Sequence, residues 1–151
     1  MLDDTDRRLL RALQTNALLT AQELGDKLNL SASQAGRRRQ RLEAAGVLKG
    51  ARAVVDGAAV GLDVQAFVQV QMAGHTAEGA RAFHRLVRAT PEVTAAFTLT
   101  GEADYLLRVR CADLAALHRL IHDVLLPHPA VARVQSQIVM DQMKPDGPLP
   151  L

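Results

Sequence analysis

Two helix-start signals of the same form, Thr20-Ala-Gln-Glu23 and Ser31-Ala-Ser-Gln34, constrain this chain more than any other feature. Each has the pattern of a capping box, in which a hydroxyl residue and an acid or amide three positions later satisfy each other's orphan amides. Leu24 and Leu28 give the intervening segment one apolar stripe, so its helix ends near Asn29. Only Asn29, Leu30 and Ser31 then remain for the turn. Two short helices at a three-residue turn form a helix-turn-helix. A helix before them is expected from about Asp4 to Thr15, with acids at its start and Leu9, Leu10 and Leu13 on one face. The helix after the turn leads into Ala35 to Ala45 and stops at Gly46. Residues 47–56, VLKGARAVVD, resemble a short hairpin placed as the wing of a winged helix.

Charge distribution gives that module a purpose. The chain's formal net charge is only +2, but residues 1–56 carry ten Lys/Arg against seven Asp/Glu, and the remainder eight against nine. Arg37, Arg38, Arg39, Arg41, Lys49 and Arg52 face a single acid, Glu43, over residues 37–52. A basic second helix carrying Ser33, Gln34, Arg37, Arg38, Gln40 and Arg41 has the side chains that hydrogen-bond base edges and phosphates. With 3% aromatic residues and no Trp, base stacking on aromatic platforms is not expected as the main mode. The partner implied is duplex DNA.

From Leu62 the hydrophobic period becomes two. Ala66, Val68, Val70 and Met72 alternate with Gln65, Phe67, Gln69 and Gln71, a strand with one buried and one mixed face. A helix follows over Ala80 to Ala89, then strands over Val93 to Thr100 and Asp104 to Cys111 around a tight Gly101-Glu102-Ala103 turn. Asp113 caps a second helix ended by Pro127 and Pro129, Val131 to Met140 is the last strand, and KPDGPLPL reads as a frayed tail. The order β-α-β-β-α-β is the ferredoxin-like split unit. Its four-stranded sheet leaves one face free to dimerise or to bind.

Catalytic and metal chemistry find little support. His118 and His122 stand four apart on a helix, yet no third ligand accompanies them, and two exposed histidines explain the spacing. Asp104 and Tyr105 lack a nucleophile or metal. The glycines match no nucleotide-binding loop, and Cys111 is expected to pack. One cysteine and no apolar stretch of bilayer length indicate a reduced, cytoplasmic chain with no membrane segment.

Together the two halves resemble the Lrp/AsnC (feast/famine) family of prokaryotic transcription regulators, over about Leu2 to Lys144. The resemblance rests on LDDTDRRLLRALQ, on LSASQAGRRRQRLEAAGVLKG ending in AVVD, and on LTGEADYLL at Leu99 to Leu107. It implies an α+β chain: a winged helix-turn-helix DNA-binding domain at 1–56, a hinge at 57–63, a ferredoxin-like effector-binding and oligomerisation (RAM) domain at 64–144, and a tail at 145–151. Ser33, Gln34, Gly36, Arg37, Arg38, Gln40 and Arg41 would face the major groove of a pseudo-palindromic operator, with Lys49 and Arg52 holding phosphates. Gly101, Glu102, Ala103, Asp104, Tyr105 and Ser136 would line a cleft at the dimer-dimer interface for a small effector, an amino acid by the family's habit, and no cofactor is expected. Homodimers would assemble into octamers or hexadecamers. Three positions depart from the family pattern: Arg39 on the inward stripe of the second helix, Ala51 in the wing and Val134 in the effector cleft. The competing readings are an enzyme on the same scaffold, resembling siroheme decarboxylases, and an architectural DNA-binding protein with little sequence preference.

Overall fold

Side chains cap every helix start that the sequence marks. In the computed structural model, which describes residues 2–151, Asp3 and Asp6 form a reciprocal capping box at α1 (Asp4–Thr15). Thr20 and Glu23 do the same at α2 (Ala21–Leu28), and Ser31 and Gln34 at α3 (Ala32–Ala44). Leu9, Leu10, Leu13, Leu19, Leu24, Leu28, Ala35 and Leu42 form one core among these helices. This first unit comprises the chain up to Val54 together with Met143–Leu151. The end of the chain therefore does not fray as expected. Leu151 packs against the helical core, and Gln14 bonds the main chain of Leu149.

The expected wing is a second difference. Residues 49–56 contain no strand, and Val54 and Val55 are exposed. A two-stranded ribbon with no buried face has nothing to offset the cost of ordering it. Within residues 57–63, Ala58–Val60 is a 3-10 turn, and the Ala58 amide donates to the Asp56 carboxylate at 2.9 Å.

The second unit, Val55–Gln142, has its own core. Strands β1 (Val64–Met72), β2 (Val93–Thr98), β3 (Tyr105–Cys111) and β4 (Val131–Ile138) form one antiparallel sheet in the order β2-β3-β1-β4. The ends of β2 and β4 stop two residues short of expectation. Helix α4 (Ala77–Ala89), capped by Thr76, and α5 (Leu114–Arg119), continued by a π-helical turn at Leu120–Leu125, bury Phe83, Leu117, Leu120 and Leu125 on one face. Ala66, Val68, Val70, Leu107 and Val109 meet them from the sheet. Alternation then turns Gln69, Gln71, Arg133 and Gln135 to the other face, which no helix of this unit covers. Val134, expected in the effector cleft, pairs with Val70 and packs on the core instead. Cys111 is buried, and burial pushes its thiol pKa up, as suits a packing residue.

Candidate DNA-reading surface and effector cleft

The turn between α2 and α3 is tighter than its three-residue length suggests. Asn29 takes the left-handed conformation (φ 55°, ψ 48°), and the Leu30 amide donates to the Gly25 carbonyl at 2.9 Å. A Cβ at Gly25 would lie 2.6 Å from the Leu30 carbonyl oxygen, so only glycine fits where the two helices meet. At the next crossing, a Cβ on Gly36 would touch the Ala21 Cβ at an ordinary 3.7 Å, which turns this position toward α2. Ala35 and Leu42 are the buried positions of α3, while Ser33, Gln34, Arg37, Gln40 and Arg41 are exposed.

Those exposed side chains are not equivalent. Asp6 of α1 is 1% exposed, and two arginines of α3 converge on it: Arg38 at 2.8 Å and Arg41 at 2.6 Å. Arg38 also meets Asp3 at 2.7 Å. Burial acts to raise the Asp6 pKa, but hydrogen bonds from Arg38, the Asp3 amide and Arg41 outweigh it and hold the carboxyl below the usual range. Asp3 is lowered chiefly by Arg38. Arg39 reaches Glu43 at 3.0 Å and the Leu19 carbonyl at 3.2 Å, so its half-buried stem ends in bonds that tie α3 to the loop before α2. The Gln34 carboxamide oxygen accepts from the Ser31 amide at 2.9 Å. Ser33, Arg37 and Gln40 have no side-chain hydrogen-bond or ion-pair partner among the described residues. Lys49 and Arg52 lie exposed on the strandless segment after α3.

In the second unit the sequence-derived effector residues separate. The β2–β3 turn is closed by the Leu99 amide donating to the Asp104 carbonyl at 2.9 Å, with Gly101 at φ +114°. One Asp104 oxygen accepts from the Met72 amide at 2.7 Å, where β1 leaves regular register with β4, and the Asp104 amide donates to the Val70 carbonyl at 3.0 Å. This carboxylate is thus engaged in pinning the turn to β1, with His75 Nδ1 3.6 Å from its other oxygen. Tyr105 faces the helices: its ring lies 4.9 Å from Phe83, and its hydroxyl is 3.2 Å from His84 Nε2. Glu102 and Ala103 line a cleft on the uncovered sheet face with Gln69, Gln71, Arg133 and Gln135. Asp104 and Tyr105 line a different groove, with Met72, His75 and Thr98. Ser136 pairs with Val68, on the helix side, and lines neither cleft. Glu102 and Arg133 approach to 3.9 Å across the mouth of the first cleft. Its floor was foreshadowed by the alternating glutamines of β1, whereas Arg133 and Gln135 became visible only with the β1–β4 register. His118 and His122 stack at 4.3 Å, and no group of three metal-ligating side chains occurs among the described residues.

Comparison with known proteins adds independent findings. Residues 2–43 match the AsnC-type helix-turn-helix domain, and residues 65–149 match the Lrp/AsnC ligand binding domain. The DNA-binding transcriptional activator DecR of Escherichia coli is 34% identical over 100% of this chain and 99% of its own length. The glutamate uptake regulatory protein of Zymomonas mobilis is 34% identical over 99% of this chain and 91% of its own. Among solved structures, a transcriptional regulator from Neisseria meningitidis in complex with L-Met superposes with a TM-score of 0.94 at 37% identity, covering 99% of this chain and 97% of that one.

Proposed function

The chain belongs to the Lrp/AsnC family of DNA-binding transcription regulators, and we propose that it reads duplex DNA through Ser33, Arg37 and Gln40, with Lys49 and Arg52 on the phosphates. The supporting observation is electrostatic. Arg38 and Arg41 are matched by Asp3 and Asp6, and Arg39 by Glu43. Of the six cations between residues 37 and 52, Arg37, Lys49 and Arg52 have no acid bound to them among the described residues. Arg38 and Arg41 then position the helix, and Gln34 and Gly36 shape its start, rather than supplying the main contacts. Replacing Arg37 by Ala should weaken binding and reduce the slope of log K against log salt by about one. An unchanged salt slope would remove Arg37 from the interface. Footprinting on a pseudo-palindromic operator separates this specific mode from architectural binding.

The effector is an amino acid held at the cleft of Glu102, Ala103, Gln69, Gln71, Arg133 and Gln135. A zwitterion needs an acceptor for its ammonium and a donor for its carboxylate; Glu102 and Arg133 supply both at the cleft mouth. Gly101 gives the turn its backbone shape, and Asp104 holds that turn in place. The L-Met complex of the Neisseria relative supports the ligand class. A thermal-shift screen of the twenty amino acids should find a ligand that raises stability as RT ln(1 + [L]/Kd), and Arg133→Ala should abolish the response. No response from any of them sinks the amino-acid reading. Homodimers that assemble into octamers or larger would place this cleft between dimers, and light scattering tests the stoichiometry. The relatives are named as regulators, which favours this reading over an enzyme on the same scaffold. No helix among the described residues is long and apolar enough to cross a membrane. The regulator acts where its DNA is, in the cytoplasm.

A further inference from the structure

Arg11 and Gln14 of α1 hold the tail of the chain in an interaction that the DNA reading proposed above leaves unused. Gln14 makes a two-way bond with one residue of the tail: its carboxamide oxygen accepts from the Leu149 amide at 2.6 Å, and its nitrogen donates to the Leu149 carbonyl at 3.2 Å. Three residues earlier on the helix, Arg11 donates to the Leu151 carbonyl oxygen. The Leu151 side chain, half-buried, packs against the α1–α2–α3 core, whereas that of Leu149 is 70% exposed. The site therefore holds Leu149 by its main chain and Leu151 by both its side chain and its main-chain oxygen.

The tail sequence suits such a seat. Pro148 and Pro150 have no amide hydrogen, so Leu149 carries the one backbone donor between them, and Gln14 takes it. The two prolines fix their own φ and bias the residues before them toward extended backbone, which lowers the entropy lost on docking.

We infer that residues 147–151 form a latch that docks on the Arg11–Gln14 side of α1 and thereby fixes the setting of the recognition helix α3. The mechanical route is short. The same helix α1 that holds the tail at its C-terminal half holds Arg38 and Arg41 of α3 through Asp3 and Asp6 at its N-terminal end. The first unit is also discontinuous in sequence, because the tail returns to it after β4. The reader is thus joined to the sensor at both ends of the sensor's chain, so that a shift in β4 has a covalent path to α1 other than the linker at residues 55–63. This coupling does not depend on which amino acid the sensor binds.

Amide exchange in the full chain tests the latch, with Leu149 as a single reporter between two prolines. In the wild-type protein the Leu149 amide should exchange at least tenfold more slowly than in Gln14→Ala. Gln14→Glu, which keeps the acceptor and loses the donor, should fall between them. Equal exchange rates in wild type and Gln14→Ala would overturn the docking. DNA affinity is then compared at one salt concentration. Gln14→Ala should bind a preferred site several-fold more weakly than wild type with the salt slope unchanged, because no phosphate contact is lost. Protection of Leu149 together with unaltered affinity would overturn the coupling to α3.

Discussion

Asp6 and Gly25 illustrate how single residues set the reading surface from outside it. Asp6 looks like an ordinary helix-start acid in the sequence, and it does form half of a capping box. Its larger role, gathering Arg38 and Arg41, depends on partners 32 and 35 residues away. No local pattern reports that distance, so Arg37, Arg38 and Arg41 look alike until the helices are packed, and Arg39 alone is set apart by its place on the inward stripe. Gly25 was equally silent: a glycine inside a helix is normally a small loss relative to alanine. Here a methyl group would press on the Leu30 carbonyl oxygen at 2.6 Å, and backbone on both sides leaves no flexible atom to yield. Gly25→Ala should therefore destabilise the first unit by about 2 kcal/mol despite its better helix propensity. Urea unfolding monitored by circular dichroism checks it, and a variant as stable as wild type would show that the turn can open without cost.

At the scale of elements, what was legible was what is encoded within four residues. Caps at Asp3, Thr20, Ser31 and Asp113 all form, because each needs only a side chain and the amides just after it. The apolar period of two in β1 likewise gives its buried face directly. Elements whose existence rests on distant partners were less legible: the hairpin at residues 47–56 has no sheet to join, and β2 and β4 end where pairing ends. The effector cleft suffered most. Neighbours in sequence such as Ala103 and Asp104 diverge to separate clefts around the β2–β3 turn, a division that alternation alone could not assign. The caps also offer a local test. Ser31→Ala removes the acceptor for the Gln34 amide, which the serine hydroxyl meets at 3.2 Å, and should cost about 1 kcal/mol. Ser31→Asp should restore most of it, since an acid at this position also favours the helix dipole. Equal losses in both variants would mean that Ser31 acts through something other than the cap.

For the whole molecule, the two hydrophobic clusters share no residue, one built from α1, α2 and α3 and the other from the sheet with α4 and α5. Two separate cores give calorimetry two transitions rather than one. The first core is tied to a charge network around the buried carboxylate of Asp6, so pH should act on the two transitions differently. Asp6 and Asp3 have pKa values lowered in the folded state. Their stabilising contribution is therefore complete above the unfolded carboxyl pKa, about 3.9, and is lost as pH falls below it toward the depressed folded values. Between pH 5 and 8 these groups leave both transitions unmoved. Below about pH 4 the transition of the helical unit should fall faster than that of the sheet unit. Asp6→Asn should lower the first transition at neutral pH by about 5 to 10 °C, corresponding to a loss of roughly 1 to 2 kcal/mol, because Asp6 is buried while its partners Arg38 and Arg41 remain partly exposed. It should also flatten that transition's acid dependence and leave the second in place. A single transition in the wild-type protein, or equal displacement of both by Asp6→Asn, would mean that reader and sensor unfold as one body. Separate unfolding instead leaves the linker at 55–63 and the latch at 147–151 as the means by which one unit informs the other.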